Sequence, residues 1–172
     1  MEDKMTVKTE AKEQLLKEAL GNYPTGVTIV TTINDEGIPF GLTVNSFASV
    51  SLNPALILWS IDHSSLSLEA FTKGKKFAVH ILAADQVETA KIFAFSKGEK
   101  FSQCSWRKSD YGLPIVEGAL SVFQCEVHQT VEAGDHTILI GKVLDIEIED
   151  RDPMLYHRRK FGLIPAAFYK ED

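Results

Sequence analysis

A chain of 172 residues with 44% hydrophobic and 24% charged residues has the size and composition of one globular domain with its own core. The formal net charge of −6 argues against nucleic acid as a partner, so local groups must hold any anionic ligand. Two cysteines without a CxxC motif argue against a disulfide framework or a structural zinc site, and they favour a reducing compartment.

Targeting signals are not evident in the residues. No apolar run approaches the length of a membrane span, and residues 1–4 lack the basic start and apolar stretch of a signal peptide. We therefore expect a cytoplasmic protein. We also expect one domain over residues 1–172, in which residues 1–22 form an N-terminal helical extension.

The first predicted elements are a helix and a β-hairpin. Apolar residues over Thr9–Leu20 fall on one helical stripe, and Gly21 is a suitable C-terminal stop. Alternating β-branched residues predict a strand over Thr25–Asn34. Asp35–Gly37 then predicts a hairpin turn, and the chain returns through Ile38–Ser46.

The middle of the chain mixes strands with short helices. Ala55–Ile61 is mostly apolar, which predicts a strand buried on both faces. A helix capped by Ser64 or Ser65 is expected to end at Gly74, followed by a strand over Phe77–Leu82.

A second helix is predicted from a capping-box pattern. Asp85 and Glu88 have the spacing of such a start, and the helix is expected to run to about Phe95. The following segment, Ser96–Gly118, has no clear periodicity and is expected to be irregular.

The last third of the chain has the clearest strand pattern. Apolar and polar residues alternate around Phe123–Val127 and again around Leu144–Ile148, with a tight connection at Ala133–His136 between them. About six or seven strands joined by hairpins favour a mainly β fold, an antiparallel barrel with inserted helices, over a doubly wound sheet.

Small hydroxyls and amides are interspersed with apolar residues over Gly41–Pro54. This pattern suits a flat ligand with a polar edge, such as a flavin, contacted by hydroxyls and backbone while the apolar residues anchor the segment. A serine- and threonine-rich strand followed by a turn would give the same composition, so this interpretation stays open.

His63–Ser65 precedes a predicted helix, where free amides and capping hydroxyls suit a phosphate. A plain serine cap is the alternative. No GxGxxG or GxxxxGK[ST] pattern is present, so a phosphate would not be bound by a Rossmann or Walker loop.

Two further segments are candidates for contact with a ligand. A histidine just past the tight turn Gly134–His136 is placed to reach into a cleft, and the basic run Tyr156–Lys160 is suited to a dinucleotide phosphate. A surface turn and a solvated basic face are the alternatives. Lys100 and Phe101 would add a positive charge and an aromatic ring near the same cleft.

Other chemistries lack support in the residues. The remaining histidines, His80, His128 and His157, are dispersed and form no HxxxH or HExxH pair, so we assign no metal. The chain has no Gly-x-Ser-x-Gly elbow and no cysteine nucleophile signature, which argues against hydrolysis.

Taken in order, these segments resemble the flavin reductase-like family with the FMN-binding split-barrel fold, whose members include reductase components of two-component flavin monooxygenases. The resemblance covers about Tyr23 to Phe161. It is carried by Pro24–Thr31, Gly41–Leu52, His63–Ser65, Phe77–Leu82, Lys100-Phe101, Gly134–His136 and Pro153–Arg158.

The resemblance implies a six-stranded Greek-key barrel that works as a homodimer, with a flavin groove partly completed by the second subunit. It implies that His136 lies beside the nicotinamide. We assign His136 as the candidate catalytic residue, with the role of orienting the nicotinamide ring. The implied cofactor-binding residues are Pro24, Thr25, Gly26, Thr43, Val44, Asn45, Ser46, Ser60, His63, Ser64, Ser65, Lys100, Phe101, Tyr156 and Arg158.

The activity implied is an NAD(P)H:flavin oxidoreductase that passes hydride from reduced nicotinamide to FMN, with FAD as the alternative, and that supplies reduced flavin to a monooxygenase. A flavin-binding electron carrier or storage protein and a ligand-free interaction module are the competing hypotheses. The family often has an Arg-Gly-Arg-Tyr type segment where this chain has His157–Phe161, which leaves the choice between NADH and NADPH open.

Overall fold

The computed structural model describes residues 2–169, with side chains from residue 10 onward. Its elements are, in chain order, α1 Glu2–Gly21, β1 Thr25–Gly26, β2 Thr28–Ile33, β3 Pro39–Val44, β4 Ala48–Leu52, β5 Ala55–Asp62, α2 Leu68–Lys73, β6 Lys76–Ile81, α3 Val87–Phe95, a 3-10 helix Lys100–Gln103, β7 Trp106–Lys108, β8 Pro114–Val116, β9 Ser121–Ala133, β10 His136–Ile148, β11 Met154–His157, β12 Lys160–Leu163 and a 3-10 helix Ala166–Tyr169.

Seven strands form the main sheet, in the order β3-β2-β6-β9-β10-β5-β4, and every neighbouring pair is antiparallel. If this sheet were flat, its two edge strands would lie about 29 Å apart. Yet β3 and β4 are joined only by Asn45–Phe47, a link that reaches roughly 14 Å at most. The sheet must therefore curl until its two edges approach each other at this corner.

The inner face of the curled sheet encloses the largest hydrophobic cluster. Trp59 on β5 is fully buried and meets Phe71 of α2 and Phe77 of β6 in edge-to-face contacts, with ring centroids 4.9 and 5.9 Å apart. The cluster draws buried residues from five strands and one helix, namely Val30, Ile57, Trp59, Ile61, Phe71, Phe77, Val79, Cys125 and Leu139.

Helix α3 and two small sheets cover the outer face of β2 and β6. A second cluster joins Ile29 of β2 to Ala90 and Phe93 of α3, and Met154 of β11 completes it. This cover explains why β2 is buried on both faces along most of its length. The small sheets are β1-β11-β12 and the hairpin β7-β8.

Several predicted elements are confirmed. α1 ends at Gly21, Gly37 adopts a φ of +82° in the β2–β3 turn, and β9 and β10 form a long hairpin around Gly134 with a φ of +67°. Local periodicity and turn chemistry predicted these features because each depends only on residues that are close in the chain. None of the described helices combines the length and hydropathy that a bilayer-spanning segment needs.

Other expectations need correction. The main sheet has seven strands rather than six, and its hydrogen-bonded ladder is open between β3 and β4. β5 buries Ile57, Trp59 and Ile61, whereas the alternating residues are only partly buried, because a single face of the strand meets the core. The segment expected to be irregular contains a 3-10 helix and the β7-β8 hairpin.

Both predicted helix caps are absent. α2 begins at Leu68, after the two serines expected to cap it, and Ser67 at its N-cap makes no side-chain capping bond. At the start of α3, Gln86 occupies the N-cap without a capping bond. Its side chain instead accepts from the Ala83 amide and donates to the Glu117 carbonyl, which ties the loop before the helix to the loop after β8.

His80 on β6 is a fully buried neutral histidine. The Val116 amide donates to Nε2 at 3.1 Å, so the ring proton is on Nδ1, which donates to the Ile29 carbonyl at 3.0 Å. Burial lowers the pKa of His80 from 6.5 to about 4.

We predict an acid-dependent loss of stability from this histidine. The folded chain takes up the proton near pH 4 and the unfolded chain near pH 6.5, so the unfolded state holds more protons in between. Its contribution is therefore complete above pH 6.5 and falls by about 3 kcal/mol as the pH drops to 4. Urea unfolding across this range should show a shallower pH dependence in H80Q than in the wild type, whereas H128Q, at an exposed position, should match the wild type. An unchanged slope in H80Q would contradict the assignment.

Candidate functional site

The corner link, Asn45–Phe47, joins the edges of the main sheet. Ser46 lies opposite Ser60 in continuation of the β4–β5 register, and its hydroxyl replaces the missing backbone pairing. Ser46 Oγ accepts from the Ser60 amide at 3.0 Å and donates to the Ser60 carbonyl at 3.2 Å. The link is thereby attached to β5, while the Asn45 side chain stays exposed.

The segment Pro24–Gly26 comes just before β2, the strand that pairs with the end of β3. Thr28 pairs with Val44, and its hydroxyl donates to the Val44 carbonyl at 2.9 Å. On the other side, Thr25 in β1 pairs with Tyr156 in β11. Two predicted groups that are far apart in the chain are therefore neighbours at this edge.

Thr25 carries an unusual hydroxyl. Its Oγ1 is buried and has no hydrogen-bond partner among the described residues. A buried polar atom without a partner costs about 1–3 kcal/mol. The position is therefore suited to a ligand group that completes the bond.

The turn between β11 and β12 is formed by two arginines with positive φ, Arg158 at 48° and Arg159 at 62°. Such angles are uncommon for residues other than glycine, which adopts them without strain. Contacts with the end of α1 hold the turn: the Arg158 amide donates to the Gly21 carbonyl at 3.1 Å, and Arg158 Nε donates to Asn22 Oδ1 at 2.8 Å.

Three of the predicted residues face α3 rather than the corner link. The Thr43 hydroxyl donates to the Ala90 carbonyl at 2.7 Å. Lys100 Nζ donates to the carbonyls of Phe93 and Gly41, at 2.8 and 3.2 Å, and its partial burial lowers the pKa of the ammonium. The Phe101 ring packs edge-on against Phe93. These contacts attach α3 to β3, and a direct role of the three residues in binding a cofactor stays a prediction.

Lys100 and Phe101 also line a cavity of about 680 Å³ between the start of β3 and the segment after α3. Its volume is within the range of small-molecule sites. Of the predicted site residues, only these two are among those that line it.

The end of β5 brings His63, Ser64 and Ser65 to the β9–β10 turn. Asp62 Oδ1 accepts from the Ser64 amide at 2.7 Å, and this bonding, followed by the nearby charges of His136 and His63, lowers the pKa of the Asp62 carboxyl. Since the Ser64 amide already has a carboxylate partner, the two serines are attached to a tight turn and not to a helix start. Their proposed contact with a phosphate stays a prediction.

His136 is the first residue of β10 and pairs with Asp62. Its Nδ1 lies 2.7 Å from Asp135 Oδ1, and this hydrogen bond is the main cause of the lowered pKa of the Asp135 carboxyl. With Nδ1–H donating to Asp135, Nε2 is the ring nitrogen left to accept a hydrogen bond. The side chain is 41% exposed.

The sequence analysis missed Glu132 and Thr137 on either side of the same turn. Both lie 3.0 Å from His63 Nε2 through their side-chain oxygens. A buried threonine and a glutamate at the end of an exposed strand carry no motif, so only the strand register could place them beside this histidine.

Comparison with known proteins identifies the family of the chain. The family described as "Flavin reductase like domain" matches residues 20–165. The FMN reductase (NADH) SmoA of Agrobacterium fabrum is 44% identical over 146 residues, which cover 85% of this chain and 83% of that protein. The reductase component of the flavin-dependent trigonelline monooxygenase of Acinetobacter baylyi is 48% identical over 128 residues, which are 74% of this chain and 41% of that protein.

Among solved structures, the NADH:FAD oxidoreductase of Streptomyces globisporus, in complex with NAD and FAD fragments, superposes with a TM-score of 0.85 at 34% identity. The match covers 90% of this chain and 94% of that one. The family match over residues 20–165 and these relatives show that the chain belongs to the flavin reductase-like family.

Proposed function

We propose that this protein is an NADH-dependent flavin reductase that uses FMN and delivers reduced flavin to a monooxygenase. The family match over residues 20–165 is the observation that carries the proposal. The relatives support the choice of donor and flavin, since one is named an FMN reductase (NADH) and another a monooxygenase reductase component. We also propose that the curled sheet is the FMN-binding split barrel of this family.

The residues at the corner link suit a flavin. Asn45–Phe47 lies between two strands, outside the ladder of the main sheet, so its backbone groups can meet the polar edge of a ring system. The exposed amide of Asn45 adds both a donor and an acceptor. The unpartnered hydroxyl of Thr25, three residues before the Thr28–Val44 pair, provides a further buried group. We propose that these residues hold the ring and its ribityl chain.

When bound, FMN supplies the acceptor for a hydride from reduced nicotinamide. The contribution of the chain is to hold the two rings in contact and to exclude other orientations. His136 is suited to this task, because its hydrogen bond to Asp135 holds one ring nitrogen and leaves the other to accept from a ligand. Arg158 and Arg159 place positive charge where a dinucleotide phosphate would be attracted despite the net charge of −6.

One feature supports self-association. The α1 helix exposes Leu15, Leu16 and Leu20, and an exposed apolar stripe of this kind is typical of an interaction surface. We propose that a second copy of the chain covers this stripe in a homodimer. The cytoplasmic location expected from the cysteine content stays a prediction.

The first test measures turnover. Purified protein should oxidise NADH only when FMN is added, and H136A should lower kcat/KM for NADH by about tenfold to a hundredfold, because orientation of the nicotinamide is lost. H128A, an exposed histidine on β9, should retain the wild-type value. The absence of flavin-dependent oxidation of either NADH or NADPH by the wild type would refute the reductase function.

The second test concerns the Thr25 hydroxyl. T25V keeps the shape of the side chain but removes the unpartnered oxygen, so the flavin-free protein should gain about 1 kcal/mol in stability. The same variant should bind FMN about five- to tenfold more weakly, as one hydrogen bond is lost. Thermal unfolding and fluorescence titration with FMN measure the two effects.

The matched control is T28V, whose hydroxyl already donates to the Val44 carbonyl. It should be less stable than the wild type in the absence of flavin. Unchanged FMN affinity in T25V would remove this residue from the flavin site.

A further inference from the structure

Glu132 is the centre of a small network at the base of the β9–β10 turn. Its Oε1 accepts from the Thr137 hydroxyl at 2.9 Å, and its Oε2 lies 3.0 Å from His63 Nε2. Thr137 Oγ1 is also 3.0 Å from the same nitrogen. The proton of the Thr137 hydroxyl is directed to the Glu132 carboxylate. His63 must therefore carry a proton on Nε2 and act as the donor in its contacts with these two side chains.

The network joins the end of β5 to the hairpin that carries His136. The backbone amide of His63 donates to the Asp135 carbonyl at 2.9 Å, while the Asp135 carboxylate accepts from the His136 ring. A continuous series of contacts therefore runs from Glu132 through His63 and Asp135 to His136. Beyond β6, the outer part of β9 pairs with β10 alone, so these contacts fix the turn against the barrel.

The exposure of Glu132 indicates that its contacts contribute to positioning more than to folding stability. Thr137 is 2% exposed, whereas the Glu132 side chain is 74% exposed. An exposed ion pair contributes little to folding stability. The rate of hydride transfer is more sensitive to such a contact than folding stability is. A small displacement of a group that positions one of two stacked rings lowers this rate.

We propose that Glu132 and His63 are positioning residues, which act through Asp135 to hold His136 in the orientation that receives the nicotinamide. This inference rests on the proposed reductase function, because it requires that His136 contact the dinucleotide. The inference gives the β9–β10 turn its own supporting contacts, which are separate from the corner link and from the basic turn at Arg158.

A double-mutant cycle tests the proposal. E132Q, in the wild-type background, should lower kcat/KM for NADH by about three- to tenfold while the Kd for FMN stays within about twofold. In the H136A background the same substitution should have almost no further effect, because the residue on which it acts is gone. E126Q, which removes an exposed partner of Lys142 on the same hairpin, is the matched control and should leave kcat/KM unchanged.

Thr137 provides an independent variant of the same network. T137S retains the hydroxyl and should keep nearly the wild-type kcat/KM, whereas T137V fills the same buried space without a donor and should reproduce the loss seen in E132Q. Thermal unfolding of every variant shows whether a loss of activity reflects a loss of fold.

The outcomes are distinguishable. A wild-type kcat/KM in E132Q and T137V, or an equal loss from E132Q in the presence and absence of His136, overturns the positioning role while the reductase function stands. A normal kcat/KM in H136A removes the basis of the inference and overturns it as well. Absence of flavin-dependent NADH oxidation in the wild type refutes the proposed function itself.

Discussion

The short corner link between β3 and β4 is the constraint on which the rest of the structure depends. Because three residues join the two edges of a seven-stranded antiparallel sheet, the sheet has to curl, and its inner face then encloses Trp59 and the surrounding cluster. The same curvature brings the ends of β3 and β5 together, where the Ser46 hydroxyl bonds both backbone groups of Ser60. Packing and site formation are thus two results of one geometric requirement.

Most hydroxyls near this corner are occupied by the protein itself. Thr28 and Ser46 both bond to backbone groups of neighbouring elements. Their role is to fix the backbone, and this leaves the exposed amide of Asn45 and the buried hydroxyl of Thr25 as groups available to a ligand. A site built in this way is preorganised, since its supporting bonds already exist before a ligand binds.

The two turns near the site carry opposite charges, since the β9–β10 turn is acidic and the β11–β12 turn is basic. At the β9–β10 turn, carboxylates of Asp62, Glu132 and Asp135 lie beside two histidines, an arrangement suited to orienting imidazole rings. At the β11–β12 turn, Arg158 and Arg159 are held at positive φ against the end of α1. In this arrangement the groups proposed to orient a nicotinamide and the positive charge proposed to attract a dinucleotide phosphate lie on different turns.

Features that depend on near neighbours could be predicted from the sequence: the end of α1 at Gly21, the β2–β3 turn at Gly37 and the β9–β10 hairpin all follow from local periodicity and turn residues. The resemblance also singled out Gly41–Leu52, the segment that contains the corner link, as part of a binding site. Which side chains contact one another was decided by the tertiary structure, because those partners lie far apart in the chain. Thr43 donates to a residue 47 positions away, and His63 meets Thr137 at a separation of 74 positions. No local pattern encodes such pairs, since they are fixed only when the curled sheet sets the register of its strands.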